Sequence, residues 1–506
     1  MWVSAARSTA ETRLLRMVQD LSQPTNFGGA SRHQNPYFPF PYSARERQCK
    51  RSNFTGMVPQ LAMNDYRAKT LKEAFQLCDL DPLSGLGLER YYVELAAVRK
   101  TEAIESVNTV LDFQEVGDFC TILFTGHRGC GKSTELQRIH HQWKQDYRVI
   151  YLEANEETDI NDAEYTDFYL IVIKKVEFEL REMGLKFDSI LLKSVEDWFK
   201  EVTKENEETV ESSVSVNAEA SLGSTAPFLA KLLVKLLAQI KGAHKQKTLI
   251  RQTLQRDISR LKADVNLLLR DAHQKIKDQY PKGFLIIFDN LDRVPPPVGN
   301  HLFFDYAAQL QELNCTLIYT VPISVLCSSK NIANTFGEPH IVSMVSTYQL
   351  NRDCCDLEYD RKGLKSLAQI IKQRVETDLL FESEEEILAL ARASGGHVRQ
   401  LMQMMRSACQ TASTRKHTKI QAEDVEYAVK QQQFNFERFI PDDHYPLLAR
   451  VCVTKNISKD EVGQLMLFNT SVLEYNGLDR WNYPNPAVKQ SAFFQTALKE
   501  FLAPHG

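Results

Sequence analysis

Nine consecutive residues, Gly126-His127-Arg128-Gly129-Cys130-Gly131-Lys132-Ser133-Thr134, constrain this chain more than any other feature of its sequence. They satisfy the spacing G-x-x-x-x-G-K-[ST]; an apolar, β-rich run at 121–125 precedes them and a helix-compatible stretch at 132–144 follows. In a strand–loop–helix setting the glycines let backbone N–H groups turn inward around phosphate oxygens, and the helix N-terminus adds partial positive charge. Lys132 is placed to reach the β- and γ-phosphates, and the Ser133 hydroxyl to ligate Mg²⁺. The loop therefore predicts binding of a purine nucleoside triphosphate, ATP with Mg²⁺, through Gly126 to Thr134.

Further short apolar runs at 148–152, 284–288, 316–320 and about 340–345 alternate with helical patterns. That alternation predicts an α/β fold with three layers around a parallel sheet. The run at 284–288 ends in Asp289, expected beside the loop-bearing strand, where a carboxylate holds hydrated Mg²⁺. Many ATPases place Glu next to polarise the attacking water, but here the neighbour is Asn290, and an amide cannot act as a general base. Asp292 is then the nearest alternative carboxylate, and hydrolysis is expected to be slow. Thr320, ending the fourth run, is placed to sense the γ-phosphate. Arg399, within Gly395-Gly396-His397-Val398-Arg399, opens a helix that can swing a lid onto that phosphate, giving different contacts with ATP and ADP. The competing readings are an Asp292–Arg293 salt bridge, ordinary strand composition at Thr320 and an interhelical ion pair at Arg399.

The chain divides by pattern. Residues 1–62 are proline- and aromatic-rich around 35–42 and carry eight Lys/Arg against three acids, which reads as a disordered tail or an over-extended start before Met63. Residues 63–118 form a helical extension, 119–350 the ATPase core, 351–435 a helical lid and 436–506 a winged-helix-like domain. Within the core, 160–280 reads as a mainly helical insertion. Alternating Val214, Val216, Ala218 and Ala220 suggest a small strand or hairpin there, and 251–280 reads as one long amphipathic helix. Near the C-terminus, strands at 472–475 and 480–483 are expected around a tight Asn476-Gly477 turn.

These motifs, with the segment Ile420 to Ala428, resemble the AAA+/STAND branch of P-loop ATPases over about residues 85–504. NACHT-type members similarly place a small residue after the Mg²⁺ aspartate and an acid three positions on, which implies a catalytic or water-positioning role for Asp292. The continuation into a winged helix resembles origin-recognition and archaeal STAND ATPases. The resemblance implies an ATP-driven switch, used in signalling or anti-phage defence, that assembles with itself or a separate effector. The insertion departs from that pattern.

Composition bears on the partners. A formal net charge of -4 supplies no overall basic field for nucleic acid, and no apolar run is long enough to span a membrane. Ten cysteines scattered without a Cys-x-x-Cys pair point to a reducing, cytoplasmic setting. Two readings compete with the switch: a DNA-binding initiator or loader using the winged helix, and a non-hydrolysing scaffold stabilised by ATP.

Overall fold

The computed structural model describes residues 66–207, 228–242, 244–477 and 479–503. The expected tail at 1–62 and the alternating Val214–Ala220 segment lie outside the described residues. Five strands, β1 (Thr121–Gly126), β2 (Arg148–Glu153), β3 (Phe284–Asp289), β4 (Thr316–Pro322) and β5 (His340–Ile341), form one parallel sheet in the order β2-β3-β4-β1-β5. β3 and β4 are buried along their whole length. That burial explains why their sequences are apolar without alternation: both faces are covered. Phe284, Ile286 and Phe288 face one layer with Tyr319, while Leu285, Ile287 and Ile318 face the other.

Two strand expectations need correction. β3 is not beside β1, because β4, apolar on both faces, takes the central place and puts Thr320 between the loop strand and the Asp289 strand. β5 is shorter than the 340–345 run suggested. Thr101 Oγ1 donates to Ile341 O at 2.7 Å and Ser346 N to Val98 O at 3.0 Å, so residues 98–101 take over the backbone partners that a longer strand would use.

The N-terminal helices are α1 (Leu71–Leu77), α2 (Gly85–Tyr91), α3 (Ala96–Arg99) and α4 (Ala103–Phe113), followed after β1 by α5 (Lys132–Trp143). Between β2 and β3 the chain forms α6 (Tyr165–Glu182), α7 (Ser189–Glu207), α8 (Phe228–Gly242), α9 (His244–Arg256) and α10 (Ile258–Ile276), a bundle sharing one core with Phe284, Ile286 and Phe288. The single helix expected over 251–280 is two, broken at Asp257, which has left the helical region (φ -110°, ψ 34°). The break lets α9 lay Ile250 and Leu254 in the bundle while Arg251 donates through Nε to the fully buried Asp167 on α6 at 3.0 Å.

Beyond the sheet come α11 (Arg361–Lys372), α12 (Glu384–Ser394), α13 (Val398–Arg415) and α14 (Ala422–Phe439). The C-terminal segment holds α15 (Tyr445–Thr454), α16 (Glu461–Phe468), an antiparallel pair β6 (Val472–Tyr475) and β7 (Trp481–Pro484), and α17 (Ala492–Leu502). The hairpin is present but its turn is not the tight one expected. Tyr475 pairs with Trp481, so residues 476–480 form the connection. Stacking of Tyr475 on Trp481, with centroids 4.5 Å apart, and the Arg480–Glu474 ion pair at 2.6 Å hold that longer register. Tyr475, Trp481 and Tyr483 belong to the same apolar cluster as Phe124 and Ile287 of the sheet. Among the described residues no helix is long and apolar enough to cross a membrane.

Candidate nucleotide-binding site

β1 delivers the chain into the glycine loop at its C-terminal end, and α5 begins at Lys132. Gly126 and Gly129 have φ of 150° and 88°, backbone that side chains disfavour. A Cβ on Gly126 would stand 2.3 Å from Val342 O, and one on Gly129 would stand 2.6 Å from His397 Cε1. Both positions therefore require glycine for close approach as well as for conformation. The Lys132 side chain is buried and folded over the loop, donating to Gly126 O and His127 O at 2.9 Å each. Its Nζ also lies 2.7 Å from Asp292 Oδ2. Burial alone would lower the lysine's pKa, but the Asp292 carboxylate outweighs it, so the net shift is upward and the ammonium stays charged.

Behind the loop, buried Arg99 donates to Cys130 O at 2.5 Å and to Glu135 Oε1 at 3.2 Å. Sequence reasoning missed this brace, since an arginine on a separate short helix carries no motif signal.

At the end of β3, Asp289 accepts from Tyr151 OH at 2.5 Å and from the Asn290 N–H at 2.7 Å. Asn290 lies in the left-handed region (φ 62°), a conformation asparagine tolerates better than most side chains. Its Nδ2 donates to Glu153 Oε2 at 2.7 Å. Thr320 is fully buried; its hydroxyl donates to Phe288 O at 3.0 Å and accepts from Leu291 N and Asp292 N at 2.9 and 3.3 Å. The threonine fixes the Asn290–Asp292 turn and is not among the residues lining the cleft.

The loop is tied to both C-terminal modules. Arg399 N–H donates to Gly129 O at 3.0 Å, and Glu474 N–H donates to His127 Nε2 at 2.8 Å. His397 caps α13 by accepting from Gln400 N at 3.2 Å. Both imidazoles are fully buried and pushed down to about 3. Burial is the main cause; His397 and Lys132 add to it at His127, and Arg399 and Lys132 at His397. Both rings are thus neutral acceptors. The motif placed His127 in the loop but gave no sign of its partner on the hairpin.

A cleft with a volume of about 120 Å³ opens beside the loop. Leu80, Leu83, Tyr91, Val93, Ile370 and Met402 make an apolar wall. Arg128, Lys132, Arg293 and Arg399 also line it, with Asp292 and Asn290, while Arg374 lies over the Tyr91 ring. The Arg128 guanidinium is pushed down by burial and then by Arg293 and Arg399, a measure of how much positive charge converges there. Aromatic and aliphatic side chains together with several cations in one cleft suit a base and its phosphates. Of the residues singled out from sequence, Arg128, Gly129, Gly131, Lys132, Ser133, Thr134, Asp292 and Arg399 line the cleft, whereas Gly126, His127, Cys130, Asp289 and Thr320 stand behind it. The apolar wall was invisible in sequence because it comes from the N-terminal extension and the helices after the sheet.

The parallel sheet and the glycine loop at the end of its β1 define a P-loop NTPase core. Residues 100–305 match the family model described as the KAP family P-loop domain, and the match runs through the 160–280 segment that had stood out as an insertion. Among solved structures, similar chains include Cdc6p from Pyrobaculum aerophilum, at 12% identity over 81% of this chain and 100% of that one with a TM-score of 0.34. The Walker-type ATPase paby2304 of Pyrococcus abyssi aligns at 13% identity over 84% and 99% with a TM-score of 0.38. The ADP form of the Aeropyrum pernix ORC2 protein aligns at 10% over 85% and 98% with a TM-score of 0.36. No curated protein matches the sequence.

Proposed function

We propose that this chain is a cytoplasmic ATP-binding switch of the AAA+/STAND kind, slow in hydrolysis, whose nucleotide state governs assembly with itself or with a separate effector, as in signalling or anti-phage defence. The observation that carries this reading is the double tie from the loop, to Arg399 on the helical lid (351–435) and to Glu474 on the winged-helix-like segment (436–506). Phosphates entering the loop would compete with Asp292 for Lys132, and because both ties leave from this loop, its response to nucleotide can reach both modules. Ser133 and Asp289 would supply the hydroxyl and carboxylate oxygens that suit Mg²⁺, which would offset phosphate charge. Asp289, which is not among the residues lining the cleft, would be the carboxylate that holds the hydrated ion. Asp292, once Lys132 has moved to the phosphates, orients the attacking water; Thr320 reports on the phosphate through the turn it holds, and Arg399 by direct contact. The nine described cysteines are free thiols, which agrees with a reducing compartment.

The cations near the hairpin favour a protein partner over DNA. Arg480 is paired with Glu474 at 2.6 Å and Lys489 with Asp356 at 2.9 Å, which leaves little charge for a phosphate backbone.

Hydrogen–deuterium exchange tests the switch. Peptides over 398–415 and 472–484 are expected to differ in protection between ATP-bound and ADP-bound protein, with the difference lost in Arg399→Ala. Identical exchange in the two nucleotide states, with binding verified by calorimetry, would leave a nucleotide-stabilised scaffold as the better reading.

A further inference from the structure

Asn290 stands where many ATPases place a glutamate, so the water that Asp292 orients lacks its usual second hydrogen-bond acceptor. We infer that Asn290 presents it through its side-chain carbonyl, and that Glu153 is the positioning residue that turns this carbonyl toward the cleft. The inference rests on the ATPase reading above.

The geometry follows from hydrogen-bond chemistry. A carboxylate can only accept, so the Asn290 atom 2.7 Å from Glu153 Oε2 must be the amide nitrogen, which leaves Oδ1 as the acceptor this side chain has to offer. Among the described residues no donor reaches that Oδ1, while Asn290 lines the cleft beside Asp292 and Arg293. The left-handed backbone at Asn290 is anchored on both sides, by its own N–H on Asp289 and by the following N–H groups on Thr320. Glu153 and Asp289 are register partners at the ends of β2 and β3, so the anchoring carboxylate is fixed by the sheet. Glu156 and Asp289 face Glu153 with like charge and Arg293 with opposite charge; burial and the two acids raise its pKa. The hydrogen bond from the Asn290 amide works against that rise by favouring the carboxylate.

An amide so held can accept a hydrogen bond from water and aim its lone pair at phosphorus, as a glutamine does in some P-loop enzymes, but it cannot take the proton. In the step, the water oxygen bonds to the γ-phosphorus, the bond from that phosphorus to the bridging oxygen breaks, and ADP leaves with the electron pair. The water proton passes to a γ-phosphate oxygen. Orientation without a base accounts for a slow enzyme.

Single-turnover hydrolysis of Mg·ATP by the full chain, with ATP affinity and melting temperature measured alongside, tests this. Glu153→Ala and Asn290→Ala are each expected to slow turnover by about tenfold or more with affinity within about twofold. The double variant should be no slower than the worse single, because Glu153 acts through Asn290. The isosteric exchange Glu153→Gln/Asn290→Asp keeps the amide–carboxylate hydrogen bond but presents a carboxylate to the water. It should turn over about tenfold or more faster than wild type and acquire an acidic limb in its pH–rate profile. Additive losses in the double variant, or an exchange variant that folds and binds ATP yet shows wild-type rate and profile, overturn the inference. ATP binding without any wild-type turnover overturns it alone; failure to bind ATP overturns the reading of the site.

Discussion

Replacing Lys132 with Ala is expected to weaken ATP binding by at least about 100-fold, worth about 2.7 kcal/mol, and separately to destabilise the fold by about 3–5 kcal/mol. The two effects have different causes. Binding falls because the ammonium that should meet the β- and γ-phosphates is gone. Stability falls because Asp292, only 7% exposed, loses the partner 2.7 Å away and remains a buried charge. The pair of variants therefore separates site from scaffold. Lys132→Ala/Asp292→Asn should recover most of the lost stability, since both charges are removed, while ATP affinity stays low. Asp292→Asn alone should bind ATP at least as well as wild type, because Lys132 no longer has to leave a carboxylate to reach phosphate, yet turn over more slowly if Asp292 orients water. Calorimetric titration with Mg·ATP and urea unfolding of the four proteins check each corner of the cycle. Unchanged affinity in Lys132→Ala would remove the nucleotide site as described.

What could be read from sequence follows physical range. The loop and the strands β1, β3 and β4 were legible because each is local: an uninterrupted apolar run bounded by residues that need special backbone or polar caps. The break at Asp257 was not, because Ile250, Leu254, Ile258, Leu261 and Val265 keep helical spacing straight across it, and periodicity cannot report a kink that preserves phase. Strand order was equally hidden: nothing in 284–289 or 316–322 says which is central, since both are buried on two faces. At the site, the motif located Lys132 but not its ion pair. It located Asn290 but not Glu153, because the two carboxylate-bearing strand ends meet only in the folded sheet. The hairpin's contact with His127 joins residues more than 300 positions apart, a pairing for which no local pattern exists.

That same contact makes the site sensitive to acid. Lowering the pH from about 7.5 to about 5 is expected to cost roughly 4 kcal/mol of stability through His127 and His397 together. Each has a folded-state value of about 3 against an ordinary 6.5, so the unfolded chain takes up protons first as the pH falls. The stability they contribute is complete above about 6.5 and is lost progressively toward 3; at pH 5 each imidazole has forfeited roughly 2 kcal/mol. A protonated His127 could no longer accept from Glu474 N–H, nor His397 from Gln400 N–H, and both would add charge beside Lys132 and Arg399. The buried acids Asp167 and Glu474 act in the opposite sense, because burial raises their values and protonation relieves it. They are common to wild type and variant, so a difference measurement cancels them. His127→Gln offers an amide oxygen near the position of Nε2, and His397→Asn one near the position of Nδ1 while remaining a good helix cap, so the double variant keeps both accepted hydrogen bonds without a titratable ring. Unfolding free energies of the two proteins should differ by roughly 4 kcal/mol more, in favour of the variant, at pH 5 than at pH 7.5. Parallel pH curves for the two proteins would mean that these imidazoles are not held neutral where the loop meets the lid and hairpin.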